Sequence, residues 1–204
     1  MSRRTEIKKE IKEYWFKNHK AELVKCGDIT ILNWRNPESG NYYVRYIFDG
    51  YRMYIHGDIG DAVFSLTWKA TLESFTELDL DYFLSKMTTC SNGKERYCNE
   101  KASARLKEWK AELLEDKIFE NDEEKEEFLE MFDDLISGAE NCTSIEQWAW
   151  EYVNSDTFNE FISENHCDYW EWIYNIGTVI PYHNFAYLIG LKMAYEQLKE
   201  NNLQ

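Results

Sequence analysis

The chain has 204 residues with 44% hydrophobic content, enough to bury a substantial core, and its 2 prolines and 9 glycines form no linker-like stretch. The first residues lack the apolar stretch of a signal peptide, and no run reaches the roughly 18 apolar residues of a membrane span, so we expect a cytoplasmic protein with no membrane partner. The net charge of −15 disfavours direct binding to nucleic acid, and we expect a single domain over residues 1–204.

Residues 1–20 are predicted to contain an amphipathic helix. Apolar side chains recur there at the spacing of one helical face, at Ile7, Ile11, Tyr14 and Trp15. Lysines occupy several of the positions between them. This helix should therefore pack one face on a core and expose the other.

Residues 21–78 carry the pattern of a small antiparallel sheet. Four short runs rich in β-branched and aromatic residues are separated there by turn residues: DITILNW, YYVRYIF, YRMYI and AVFSLTW. Asp49-Gly50, between the second and third runs, is the residue pair that a two-residue type I′ hairpin turn prefers. The pattern predicts a four-stranded meander.

The third connection of this meander, HGDIGD, allows two interpretations. His56, Asp58 and Asp61 are residue types that bind metals in dinuclear phosphoesterases. Those enzymes also require an Asp-x-His motif, and none of the four histidines of this chain follows an aspartate at that spacing. Gly57 and Gly60 beside two aspartates are also what a tight connection between strands needs. We therefore predict a turn without a metal site.

Residues 79–204 are predicted to be mainly helical, which makes the fold class α+β. Within them, residues 122–137 are predicted to form an acidic helix, because Asn121 and Glu124 have the spacing of a capping box. Six acidic side chains fall on one face of this helix: Glu123, Glu126, Glu127, Glu130, Asp133 and Asp134. Four apolar side chains fall on the opposite face: Phe128, Phe132, Leu135 and Ile136.

The acidic helix lies in the segment that carries the charge imbalance. Glu112 to Glu164 hold 2 Lys/Arg against 18 Asp/Glu, a net of −16, whereas Met1 to Ala111 hold 19 against 16, a net of +3. Carboxylates about 5–6 Å apart along a helix approximate the spacing of phosphates along a nucleic-acid strand. The face is thus a candidate for occupying a basic groove. The alternative is a solvated surface that keeps the protein in solution.

Two W-x-W pairs follow the acidic helix, at Trp148/Trp150 and at Trp170/Trp172. Residues i and i+2 differ by about 200° on a helical wheel, so one member of each pair should be at the surface. We include Trp148 and Trp170 with the six acidic residues in the predicted partner-binding site. The alternative is that surrounding layers bury both members.

The sequence lacks the motifs of common enzymes, with no Walker A lysine, no G-x-G-x-x-G, no H-E-x-x-H and no G-x-S-x-G. Its five scattered cysteines indicate free thiols in a reducing compartment. Four of them, Cys90, Cys98, Cys142 and Cys167, are candidate ligands of a zinc site, but no CxxC pair supports this interpretation. We therefore expect no enzymatic activity, no metal and no cofactor.

The segment NYYVRYIFDGYRMYIHGDIGDAVFSLTWKA, followed by LDLDYFLSKM and closing with LIGLKMAYEQL, resembles a group of small proteins from phages and prophages of Gram-positive bacteria. The resemblance covers the sheet, the helix after it and the last helix. It implies a setting in which small acidic proteins without enzyme motifs are often antagonists of host defence, including anti-CRISPR proteins. It supplies no catalytic residues.

The leading hypothesis is therefore a phage-type, anti-CRISPR-like inhibitor in the cytoplasm of a bacterial host. It would bind a basic protein surface, the nucleic-acid channel of an immune nuclease, through the acidic helix face. Two alternatives stay open beside it: a module that sequesters a small nucleotide signal in a Tyr/Trp-lined pocket, and a metal-dependent phosphoesterase. A scaffold protein of a phage or bacterium is a further possibility.

Overall fold

The computed structural model describes residues 3–155, 158–159 and 169–201, apart from the side chains of Asp116 and Trp170. The α+β class is confirmed: an N-terminal helix precedes an antiparallel sheet, and helices dominate the C-terminal half. The chain is organised as two compact units, one formed by Met1–Lys94 with Ile180–Gln204 and the other by Glu95–Val179. We call them the sheet unit and the acidic unit. This division into units does not test the prediction of one domain over residues 1–204, which stays a prediction.

In its described residues, the sheet unit contains three α-helices and six strands. Its helices are α1 (Arg3–Glu10), which continues into a π-helical turn (Ile11–Trp15), α2 (Leu80–Ser85) and α6 (Tyr182–Asn201), with a 3-10 turn at Glu73–Phe75. Its strands are β1 (Lys20–Cys26), β2 (Ile29–Arg35), β3 (Val44–Asp49), β4 (Arg52–Gly57), β5 (Ala62–Ser65) and β6 (Met87–Cys90). They form one antiparallel sheet in sequence order.

The four predicted strands are confirmed as β2 to β5, but the prediction of a four-stranded sheet is wrong because two edge strands extend it to six. The sequence did not predict β1 because its apolar and polar residues do not alternate between a buried and an exposed face: all of its residues except Ala21 are exposed. The sequence did not predict β6 because Met87, its buried residue, continues the helical spacing of the apolar residues of α2. An edge strand needs only one pairing partner, so its sequence carries a weaker hydrophobic pattern.

The hairpin between β3 and β4 has a different turn from the predicted one. Asp49 pairs with Arg52 inside the ladder, so the two turn residues are Gly50 and Tyr51 rather than Asp49 and Gly50. Gly50 has φ +57°, whereas Tyr51 is not among the described residues with positive φ. A glycine with positive φ at the first central position is the type II′ pattern, which also suits the right-handed twist of paired strands.

The long helix α6 covers the sheet and carries buried polar groups that bond to the segments around it. The Tyr46 hydroxyl donates to the carbonyl of Tyr187 over 2.9 Å, and the Tyr187 hydroxyl donates to the carbonyl of Ile59 over 3.2 Å. The Asn184 amide donates to the carbonyls of Gly93 and Lys94. Burial raises the pKa of the Tyr46 and Tyr187 hydroxyls, so both remain protonated donors at neutral pH.

The acidic unit consists mainly of helices, and its described part also contains a two-stranded ribbon. Its elements are β7 (Arg96–Tyr97), α3 (Asn99–Asp116), α4 (Asp122–Asn141), α5 (Ile145–Trp148), a π-helical turn (Ala149–Val153), 3-10 turns (Tyr169–Glu171 and Ile173–Asn175) and β8 (Thr178–Val179). It has an aromatic core of its own, in which Trp109 meets Phe132 and Phe158 edge to face. Within the described ranges, no helix has the length and apolar character needed to cross a membrane.

Candidate partner-binding face

The acidic helix is α4, which begins at Asp122 as predicted and runs to Asn141, beyond the predicted end at residue 137. The Asn121 side chain accepts a hydrogen bond from the Glu124 amide over 2.8 Å, which caps the helix. The Glu124 carboxylate accepts from the amide of Glu120 over 2.7 Å, one residue before the expected capping-box partner. This bond, followed by the ion pair with Lys117, lowers the pKa of Glu124.

The two faces of α4 are divided as the sequence predicted. The four apolar side chains Phe128, Phe132, Leu135 and Ile136 are buried in the core of the acidic unit. The six acidic side chains of the opposite face are exposed, namely Glu123, Glu126, Glu127, Glu130, Asp133 and Asp134. We call these six residues the acidic face. It extends over about 16 Å of helix at roughly 1.5 Å per residue.

Neighbouring lysines neutralise only part of the charge around α4. The Lys110 ammonium of α3 forms an ion pair with Asp133 and also donates to the carbonyl of Leu129 over 3.3 Å. Lys107 pairs with Glu140 over 2.8 Å, beyond the acidic face, and lowers the pKa of that carboxyl group. In the part of the chain that the structure describes, the other five members of the acidic face form no ion pair.

The division into units concentrates the net charge of the protein. The acidic unit holds 7 Lys/Arg against 23 Asp/Glu, a net of −16, and the sheet unit holds 16 against 15, a net of +1. The whole imbalance of the chain therefore belongs to one compact unit. A field of this size around a single unit attracts basic surfaces and repels polyanions.

Trp148 and Trp150 lie on opposite sides of their segment, as the i, i+2 argument predicted for such a pair. Trp148 is 0% exposed, whereas Trp150 is 80% exposed. The Trp148 indole donates to the carbonyl of Ile173 over 2.9 Å and stacks on Tyr152 with ring centroids 5.4 Å apart. Trp148 is thus a core residue, and we replace it by Trp150 in the candidate interface.

The segment that presents Trp150 is anchored against α4. A Cβ atom at Gly138 of α4 would collide with the ring of Tyr152, so only glycine permits this close approach. The π-helical turn Ala149–Val153 places Tyr152 inward while Trp150 faces outward. Glu146 and Glu151 are exposed in the same short stretch, which places the exposed indole among acidic groups.

The second tryptophan pair is described in part. The side chain of Trp170 lies outside the described residues, so its assignment to the interface stays a prediction. Trp172 is half-buried, meets Trp109 edge to face with centroids 5.0 Å apart, and lies under the guanidinium of Arg105 at 4.9 Å. These contacts make Trp172 part of the packing of the acidic unit.

The HGDIGD loop is the connection between β4 and β5, as predicted. His56 Nδ1 lies 2.7 Å from a carboxylate oxygen of Asp61 on the surface. The Asp58 carboxylate accepts a hydrogen bond from the Tyr42 amide over 2.7 Å, which holds Tyr42 at a φ of +58°. A Cβ atom at Gly57 would collide with the Tyr43 backbone, so the glycine serves close backbone approach.

Replacing Asp58 by alanine tests the interpretation of this loop. We expect the purified protein to hold no stoichiometric metal, and the variant to be less stable by about 1 kcal/mol through loss of the bond to Tyr42. Elemental analysis and urea unfolding of both proteins measure these outcomes. Stoichiometric metal in the wild-type protein that disappears in the variant would restore the phosphoesterase interpretation.

Among the described residues, no group of three or more His, Cys, Asp and Glu side chains is arranged to hold a metal ion. Cys26, Cys90, Cys98 and Cys142 are free thiols, and Cys167 of the hypothetical zinc set lies outside the described residues. The expectation of no metal and no cofactor stays a prediction. No protein-family model, no curated protein and no solved structure gave a significant match to this chain.

Proposed function

We propose that this protein binds a basic protein surface through the acidic face of α4 and competes there with nucleic acid. The observation that carries the proposal is the exposure of all six carboxylates, five of which form no ion pair within the described residues. An exposed row of unpaired like charges destabilises its own helix by a few tenths of a kcal/mol per neighbouring pair. A basic partner would relieve this repulsion.

The shape of the face supports a groove as the binding site on the partner. A single helix carries the charges in a row about 16 Å long, and its opposite side is fixed in the core of the acidic unit. A groove lined by lysine and arginine for a nucleic-acid strand would meet this row with opposite charge along its length. The exposed indole of Trp150, which belongs to the same unit, would add an aromatic anchor.

The biological setting that we propose follows from the resemblance to phage and prophage proteins. In such a setting, a partner with a basic nucleic-acid channel would be a nuclease of bacterial immunity, and occupying its channel would inhibit it. The protein would then act as a stoichiometric, anti-CRISPR-like inhibitor rather than as an enzyme. The strong localisation of charge in the acidic unit supports this proposal.

A triple variant, Glu126→Gln with Glu127→Gln and Glu130→Gln, tests the proposal. Asp133 is left unchanged because its pairing with Lys110 joins α3 to α4. We expect the association rate with a basic partner captured from host lysate to fall by about tenfold at low salt, since exposed charges mainly steer encounter. Association kinetics at two salt concentrations, with and without a competing oligonucleotide, measure the effect.

A matched control removes three charges from the sheet unit instead, through Glu10→Gln, Glu38→Gln and Glu200→Gln. These three side chains are exposed and form no ion pair in the described part of the chain. We expect the control to bind within about twofold of wild type at physiological salt, because charges outside the contact act mainly through long-range steering, which a Debye length of about 8 Å screens. An equal fall in association rate in both variants would show that the acidic face is only a solvated surface.

A further inference from the structure

A groove of about 700 Å³ lies in the sheet unit, and all of its described lining residues belong to that unit. It is formed by the β1–β2 hairpin, the turn at Gly50, the loop of residues 69–73 and the last turns of α6. Six apolar side chains line it: Leu23, Phe48, Ala70, Leu72, Tyr195 and Leu198. Its volume is within the range of about 300–1,000 Å³ that small-molecule sites occupy.

Three lysines from three separate elements line this groove. Lys25 belongs to β1, Lys69 to the loop after β5, and Lys199 to the last turn of α6. All three are exposed, and none forms an ion pair within the described residues. Two acidic residues, Asp28 and Glu73, also line the groove, which leaves it with a net charge of +1 in a protein of −15.

The walls of the groove are held in place by hydrogen bonds that do not involve its lysines. The Ala70 amide donates to the carbonyl of Gly50 over 2.8 Å, which fixes the loop against the β3–β4 turn. The Gln197 side chain accepts from the Ala21 amide over 2.7 Å and donates to the carbonyl of His19 over 3.2 Å, which fixes α6 against β1. Binding a ligand costs less conformational entropy at a site whose walls are already ordered without it.

We propose that this groove binds an anionic amphiphile, a molecule with an acyl chain and a negatively charged head group. The acyl chain would lie on Leu23, Tyr195 and Leu198, and the head group would lie among the three lysines. Lysine ammonium groups suit such a head group because each is a mobile point charge with a flexible apolar stem. The proposal does not depend on the function of the acidic face.

The lining favours an acyl chain over a nucleotide. Leu23 is exposed and Leu198 and Tyr195 are half-buried along it, whereas Phe48, Ala70 and Leu72 form its buried floor. Among the described residues no tryptophan lines the groove, which therefore differs from the Tyr/Trp-lined pocket that a nucleotide-binding module would need for stacking a base. An aliphatic chain needs only contiguous apolar surface and no directional partner.

Calorimetric titration of the full chain with octanoate and decanoate tests the proposal. Each methylene that becomes buried is expected to raise affinity by up to about fourfold, so decanoate should bind up to about sixteenfold more tightly than octanoate. Octyl glucoside, which has an eight-carbon chain and no charge, should bind at least about tenfold more weakly than octanoate. Adenosine monophosphate is the third probe and should not bind.

A charge variant and its control locate the site. Lys25→Gln, Lys69→Gln and Lys199→Gln together are expected to weaken decanoate binding by about tenfold, because exposed ion pairs contribute modestly and roughly add over three separate positions. Lys12→Gln, Lys17→Gln and Lys94→Gln remove the same charge from exposed positions elsewhere in the sheet unit. This control should bind decanoate within about twofold of wild type.

Three results would overturn the proposal. The first is no saturable binding of decanoate by the wild-type chain, and the second is equal affinity for decanoate in the groove variant and in wild type. The third is binding of adenosine monophosphate but not of decanoate, which would assign the groove to nucleotides. Binding that strengthens with chain length and weakens only in the groove variant would establish the site.

Discussion

Replacing Trp148 by alanine is expected to destabilise the acidic unit by about 3–5 kcal/mol, the usual effect of removing a large buried aromatic side chain. Trp148 is fully buried, stacks on Tyr152 and donates its indole N–H to the carbonyl of Ile173. The substitution leaves a cavity, removes the stacking contact and leaves a buried carbonyl oxygen without its donor. Urea unfolding followed by circular dichroism measures the change.

Trp150→Ala is the matched control, since it removes the same side chain two residues away from an exposed position. We expect its effect on the free energy of unfolding to stay within about 0.5 kcal/mol, as for most surface substitutions. The same variant should weaken binding to a basic partner if Trp150 is an anchor of the interface. Similar destabilisation by the two substitutions would show that Trp150 is also packed in the core.

Excising the acidic unit is expected to leave a folded sheet unit. The apolar cores of the two units share no residue: one core lies within Ile7–Met87 and Phe185–Ala194, and the other lies within Ala102–Ile176. Arg96 of β7 pairs with Val179 of β8, so the chain enters and leaves the acidic unit at neighbouring positions. Directly opposite Cα atoms in an antiparallel pair are about 4.5–5.5 Å apart, a gap that a short linker spans.

The excision variant replaces Glu95–Val179 by four Gly/Ser residues. We expect cooperative unfolding, retained β-sheet circular dichroism, and a shift of net charge from −15 to +1, which abolishes retention on an anion exchanger. The reciprocal fragment, Glu95–Val179 alone, should fold and keep binding the basic partner. An excision variant without cooperative unfolding would show that the sheet unit depends on the acidic unit for its stability.

The sequence predicted the central strands because their hydrophobic alternation and turn residues are local signals. It did not predict β1, whose Leu23 and Val24 are 42% and 39% exposed, because an edge strand is stabilised by backbone pairing with β2 rather than by an apolar face. The turn at Gly50 was shifted by one residue because strand register depends on pairing across the whole hairpin.

The exposure of the six acidic side chains could be predicted because a helical wheel needs only the sequence of the helix itself. Two features of the site depend on contacts between distant segments and could not be predicted in this way. Asp133 forms an ion pair because Lys110 of α3 lies beside it. Trp148, rather than Trp150, is buried, and the carbonyl of Ile173 accepts a hydrogen bond from its indole N–H. The spacing of Ile145, Trp148 and Tyr152 was a local sign that this side faces inward.

The position of α6 in the chain has a consequence for synthesis. This helix covers the sheet, yet it follows the acidic unit in the sequence, so the 85 residues of that unit are made before it. At about 5–20 residues per second, the ribosome takes on the order of 4–17 s to make that insert. During this interval the strands lack the cover that α6 provides, while a segment of net charge −16 is being made. Strong net charge opposes aggregation, so we expect the acidic unit to help keep the unfinished sheet in solution.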